Sequence, residues 1–218
     1  MYIGEMTLLV VAVLVMTGLA RGITARLFMN DFAATFMIFL IVLLNVRGGI
    51  TLTKSFTLSV GGALSVVVCT YAMIRRSEKG SDLLSAILAM AVDAGIVFIY
   101  SAHFLPMSAI DPRVLATLLS LIVGLWSAVA ARRTFASCLF SSVTGSFLGA
   151  TLYLLFLRKS GNIGGNYTFT VMWLGAIFGL LLQYLLSLVT RGTRSPRANT
   201  SFEAGEMAEE EDEEERPK

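Results

Sequence analysis

Asp93, in the run Ala91-Val92-Asp93-Ala94-Gly95, is the one acid deep inside a long apolar stretch of this 218-residue chain. A charge at mid-bilayer depth costs about 2.5–3.5 kcal/mol on insertion scales, so such a residue faces protein or water rather than lipid. A carboxyl there can relay protons, hold a cation, or simply bond to a neighbouring helix. Ala91, Ala94 and Gly95 fit that last role, since small residues let a second helix come close. No Lys or Arg lies at span depth to pair with Asp93. A second set of chemical groups is the hydroxyl run Ser137, Ser141, Ser142, Thr144, Ser146 and Thr151. These side chains can bond back to their own helix, bond across to another, or line a polar path. A third is a pair of glycine-bearing loops, Asn45-Val-Arg-Gly48-Gly49 and Asn162-Ile-Gly164-Gly165, that echo one another. In transporters built from repeats, paired interruptions of this kind mark broken helices whose ends meet substrate.

Familiar catalytic patterns are missing. The chain has no GxSxG, HExxH, Walker A or GxGxxG motif. One carboxyl and one distant imidazole, His103, do not make an acid–base pair. Cys69 and Cys138 lie in apolar spans and read as small hydrophobes, with no disulfide expected. No catalytic residue, cofactor or metal is therefore assigned, and an enzyme is not the expected reading. Nucleic acid is not an expected partner either, because the Arg residues sit where juxtamembrane anchors belong.

The elements that must position these groups are membrane spans. Hydrophobic residues make up 56% of the chain and charged residues 15%. Apolar runs near 20 residues match a bilayer core about 30 Å thick. They fall at about 5–22, 28–46, 55–74, 83–105, 114–131, 134–157 and 168–190. The expected fold is all-α, a polytopic transmembrane helix bundle of about seven spans. The expected domains are residues 1–198 for the bundle and 199–218 for a disordered acidic tail. No strand-like alternation has any length, which argues against a β-barrel. Gly145 and Gly149 in span six, and Gly175 and Gly179 in span seven, are GxxxG pairs for helix packing. Contact within the chain is the plainer use, and a homo-oligomer is the alternative.

Charge sets the expected orientation. Residues 1–198 hold 15 Lys/Arg against 6 Asp/Glu, and residues 199–218 hold 2 against 9. With seven spans, ten basic residues gather on one face and five on the other. The positive-inside rule then puts the N-terminus outside and the tail in the cytoplasm of a cell membrane. Glu5 before the first apolar run, with Arg21 and Arg26 after it, argues for a retained span rather than a signal peptide. The tail reads as a solvated block of like charge, with docking to a basic cytoplasmic partner as the sharper alternative. The remaining expected partner is the lipid bilayer itself.

Several segments carry a family resemblance. Leu44-Asn45-Val46 is followed by Val60-Gly61-Gly62-Ala63 and an apolar run to Tyr71. Later come Gly145-Ser-Phe-Leu-Gly149-Ala150-Thr151-Leu152 and Ile163-Gly164-Gly165-Asn-Tyr-Thr168-Phe169. In this order and spacing, over about residues 38–182, they resemble a prokaryotic membrane family known as domain of unknown function 1614. The resemblance implies aspartates after the Gly-Ala and after the Thr-Phe. This chain has Thr151 and Thr170 there, which cannot titrate. Any work done by those acids is lost or moved in this chain, and the family lends no activity.

Three functions compete. A structural or regulatory membrane protein comes first. A small transporter or channel for protons, cations or a small solute comes second, using Asp93, a hydroxyl-lined path and the residues Asn45, Gly48, Gly49, Gly164, Gly165, Thr151 and Thr170. An intramembrane hydrolase comes last.

Overall fold

The structure, a computed structural model, describes residues 3–18, 31–76, 80–107, 111–130 and 134–192. The acidic block at 199–218 and the linker Ala131-Arg132-Arg133 lie outside the described residues. So do the ends of spans one and two that face each other in sequence.

Seven helices form among the described residues: α1 Ile3–Met16, α2 Asp31–Val46, α3 Val60–Arg76, α4 Gly80–Met107, α5 Pro112–Ala130, α6 Phe135–Tyr153 and α7 Asn166–Gly192. Four of them, α4 to α7 (with α6 prolonged by a π turn), are long and apolar enough to cross a membrane. The helices α1, α2 and α3 are apolar but shorter. Each sits inside or close to an expected span, because an unbroken apolar run satisfies its backbone internally only as a helix. Residues 3–183 pack as one unit, and the end of α7 from Tyr184 belongs to a second.

Helix α6 is the centre of the first unit. Thirteen of its 19 residues are buried, on every face. That explains its hydroxyls, which look out of place in a membrane span but meet protein rather than lipid. Thr134 caps its N-terminus, its Oγ1 accepting from the Ser137 amide at 3.1 Å. On one side, Cys138, Leu139 and Val143 pack with Leu8, Ile41, Cys69, Met172 and Trp173. A second cluster joins Val97, Leu119, Val123, Ala150 and Val171. Cys69 and Cys138 are free and buried.

The GxxxG pairs pack within the chain. A Cβ on Gly145 would meet the Asp93 Cβ at 2.6 Å, and one on Gly149 would strike the Ala94 carbonyl. These two glycines seat α4 on α6. Gly175 and Gly179 open α7 to α5, where Gly124 comes up against them.

Two features correct the sequence reading. Residues 56–59, assigned to span three, are a strand, and the α3 helix starts only at Val60. The two echoing loops also fold, as β1 Gly49–Thr51 and β3 Gly161–Ile163, on either side of β2 Phe56–Ser59. Strand β1 runs antiparallel to β2 and β3 runs parallel to it, with Leu58 opposite both Ile50 and Ile163. The strands are three or four residues long, too short to register as alternation. Gly48 makes the tight entrance with φ 106°, and Gly164 leaves β3 with φ 73°, both conformations that favour glycine.

Candidate functional site

Asp93 lies at the middle of α4 and is fully buried. It does not face lipid. The Ser127 hydroxyl on α5 donates to its Oδ2 at 2.8 Å. Ser141 on α6 lies beside the carboxyl, but its hydroxyl donates to the Cys138 carbonyl at 3.3 Å. Oδ1 is left with no hydrogen-bond partner. Of the small neighbours, Ala94 makes the close approach to α6, while Gly95 faces open space and Ala91 is exposed.

Unpaired hydroxyls continue from this level along α6. Ser142, Thr144 and Ser146 each hold a buried oxygen without a partner. Ser142, Ser146 and Ala150 succeed one another at intervals of four, so they share one helix face. Ala150 forms part of the wall of a cleft of about 1050 Å³, together with Ser101, Tyr153, Arg158, Asn162, Asn166 and Tyr167. Ser101 is also buried, beside the Tyr167 hydroxyl but without a well-formed hydrogen bond, and it sits on α4 eight residues beyond Asp93, roughly 12 Å along the axis. Val97, midway between them, belongs to the apolar cluster with Leu119, Val123 and Val171. A cleft of mixed polar and apolar lining and a buried acid thus lie at two levels of one helix group, with apolar side chains between them.

A second buried acid went unnoticed in the sequence. Glu5 is only 2% exposed, although it begins α1 and reads as a flank. Its Oε1 accepts from the Asn45 Nδ2 at 2.5 Å, and the Asn45 Oδ1 accepts from the Ser59 hydroxyl at 2.5 Å. Ser59 Oγ in turn accepts from the Gly62 amide at 3.2 Å. Glu5 Oε2 has no partner. The chain Glu5–Asn45–Ser59 ties α1, the end of α2 and the β2–α3 junction together. Gly61 lets Asn45 press against α3, and Gly62 lets the Gly164 backbone approach. The Asn45, Gly61-Gly62 and Gly164 positions of the family resemblance therefore meet in space. The signal for Glu5 was Asn45, a polar side chain at the same predicted face of the next span.

Removing the link tests it. Asn45→Ala strands a buried carboxyl and a buried hydroxyl, and is expected to cost about 1–3 kcal/mol. Thermal unfolding of the purified protein reads this as a lower midpoint, and an unchanged midpoint would mean the contact contributes nothing.

The other sequence candidates fall away from Asp93. Thr151 Oγ1 donates to the Phe147 carbonyl at 2.7 Å, and Thr170 Oγ1 to the Asn166 carbonyl at 2.8 Å. Both are ordinary bonds to their own helix. Thr170 packs beside Gly4. Gly48 and Gly49 shape the sheet. Gly165 leaves room for the Asn162 side chain to lie across the start of α7. None of these six residues, Gly164 included, is brought to the carboxyl. His103 is exposed, and among the described residues no group of His, Cys, Asp or Glu is arranged to hold a metal.

No protein-family model matches the chain, and neither the curated proteins nor the solved structures give a match.

Proposed function

We propose that the protein is a small membrane transporter. In this reading the cleft admits a small solute, and Asp93 is the group inside that takes up a proton or cation. The observation that carries it is the set of buried oxygens without a well-formed hydrogen bond, Ser101 at the cleft and Ser142, Ser146 and Asp93 Oδ1 deeper in the same helix group. Buried polar groups without partners are rare in folded proteins and call for an explanation, and a site for water or an ion is a common one. A lone carboxylate in such a place is costly unless a proton or cation accompanies it. The apolar cluster around Val97 supplies the barrier that a transporter must open only transiently.

A structural or regulatory role is the second reading, favoured by the close seating of Asp93 on Gly145 and its bond to Ser127. Such a role would rest in the cell membrane, with the tail at 199–218 offered to a basic cytoplasmic partner. The N-outside orientation, the family resemblance and any homo-oligomer belong to the proposal in the same way.

Reconstitution separates the two. Liposomes carrying the protein and a pH-sensitive dye are expected to change internal pH when a proton gradient or a driving solute is imposed. Asp93→Asn is expected to return the rate to that of protein-free liposomes. A wild-type rate equal to the protein-free rate would leave the structural reading standing.

A further inference from the structure

We infer that the cleft binds an amphiphilic anion, with its carboxylate or phosphate head at Arg158 and the first turn of α7. This rests on the reading of the cleft as the solute site and names the class of solute. Three independent features converge there. Arg158 contributes a cation to the cleft wall, and among the described residues it has no acidic partner. The α7 helix begins in the same wall, and the amide groups of Asn166, Tyr167 and Thr168 precede its first internal bond, which runs from the Phe169 amide to the Gly165 carbonyl at 2.8 Å. Those amides have no acceptor within the helix, and the N-terminal end of its dipole favours negative charge. Ser101, fully buried, lines the cleft with its hydroxyl unpaired, and the Tyr167 hydroxyl beside it also lacks a well-formed bond.

Arg158 lies in the last turn of the helical segment that begins with α6. Residues Leu154–Arg158 leave the α-helical ladder in a π turn closed by the Lys159 amide on the Leu154 carbonyl at 2.7 Å. Lys159 then takes a left-handed conformation, φ 55°, that a non-glycine residue seldom adopts. Such a turn with a left-handed residue after it is a regular way to end a helix. Arg158, exposed at this helix end, is part of the cleft wall.

Most of the remaining wall is apolar, with Leu105, Leu154 and Leu157 among its side chains. A free phosphate would use the head site alone and leave most of the 1050 Å³ unfilled. A single-chain carboxylate or an anionic lipid would fill both parts. These two sources share one chemistry.

Binding in lipid nanodiscs tests the assignment. Radiolabelled decanoate is titrated against the full-length protein in phosphatidylcholine discs, with inorganic phosphate and decanol as competitors. Decanoate is expected to bind saturably, decanol to compete poorly, and Arg158→Gln to weaken binding by about tenfold, as loss of a charged hydrogen bond predicts. Arg158→Lys should recover part of it. Repeating the titration in phosphatidylglycerol discs distinguishes the source: if decanoate is displaced there, lipid headgroups occupy the site. Equal binding of decanol and decanoate, or an unaffected Arg158→Gln, would overturn the inference. Decanoate binding without any flux in liposomes would instead remove the transporter reading and leave the site.

Discussion

Asp93→Asn is expected to stop coupled proton movement while the purified protein unfolds close to the wild-type temperature. The amide keeps the shape of the carboxyl and can still accept from Ser127, whose hydroxyl lies 2.8 Å from Oδ2. A neutral hydrogen bond replaces another, so the stability change should stay within about 1 kcal/mol. What the amide cannot do is carry the negative charge that a proton or cation must answer. Asp93→Leu separates the effects further. It removes the polar partner of Ser127 and puts a branched side chain where Gly145 has cleared only a narrow seat. Both flux and stability should then fall. If Asp93 served packing alone, the Asn variant would behave as wild type in every assay.

The largest loss of stability is expected at Gly149. A Cβ there would strike the Ala94 carbonyl and come within 2.9 Å of the Val97 Cβ. Those atoms are backbone and branched side chain on α4, and neither can move aside without shifting the helix. Overpacking of this kind typically costs about 1–3 kcal/mol, with larger values where backbone is struck. Gly149→Val should therefore lower the thermal midpoint strongly, and Gly149→Ala should do so less. Gly95 is the control on the same pair of helices. A Cβ at Gly95 meets nothing within 4 Å, so Gly95→Ala should be neutral or stabilise by about 0.4–1 kcal/mol. Equal effects at Gly149 and Gly95 would mean that α4 and α6 are not seated as described.

The helices were legible in the sequence because each is an apolar run with little competing signal, and the GxxxG spacing already marked which faces come together. Asp93 was legible because charge is rare in such runs. Its partner Ser127 was not, since one serine among many has no distinguishing spacing. Glu5 was missed for the opposite reason. An acid at the start of a span reads as a solvated flank, and only the fold brings Asn45 and Ser59 over it. The echo between the two glycine loops was visible, but its meaning was not. Strand β1 pairs with its sequence neighbour β2, but β3 pairs with β2 across more than 100 residues, with Thr57 set between Thr51 and Asn162, and nothing local announces that. The cleft has the same origin, since its walls come from four helices and β3.

The claim that binds these parts together is that the hydroxyl row is a water-reachable path between the cleft and Asp93. Ser146→Cys tests it most directly, in a protein whose buried Cys69 and Cys138 are both replaced by alanine. The account predicts that a membrane-impermeant thiol reagent labels this cysteine, and that decanoate in the cleft slows the labelling. A cysteine at 146 that resists the reagent under every gradient tested, while one placed at Asn162 in the cleft wall reacts, would contradict it.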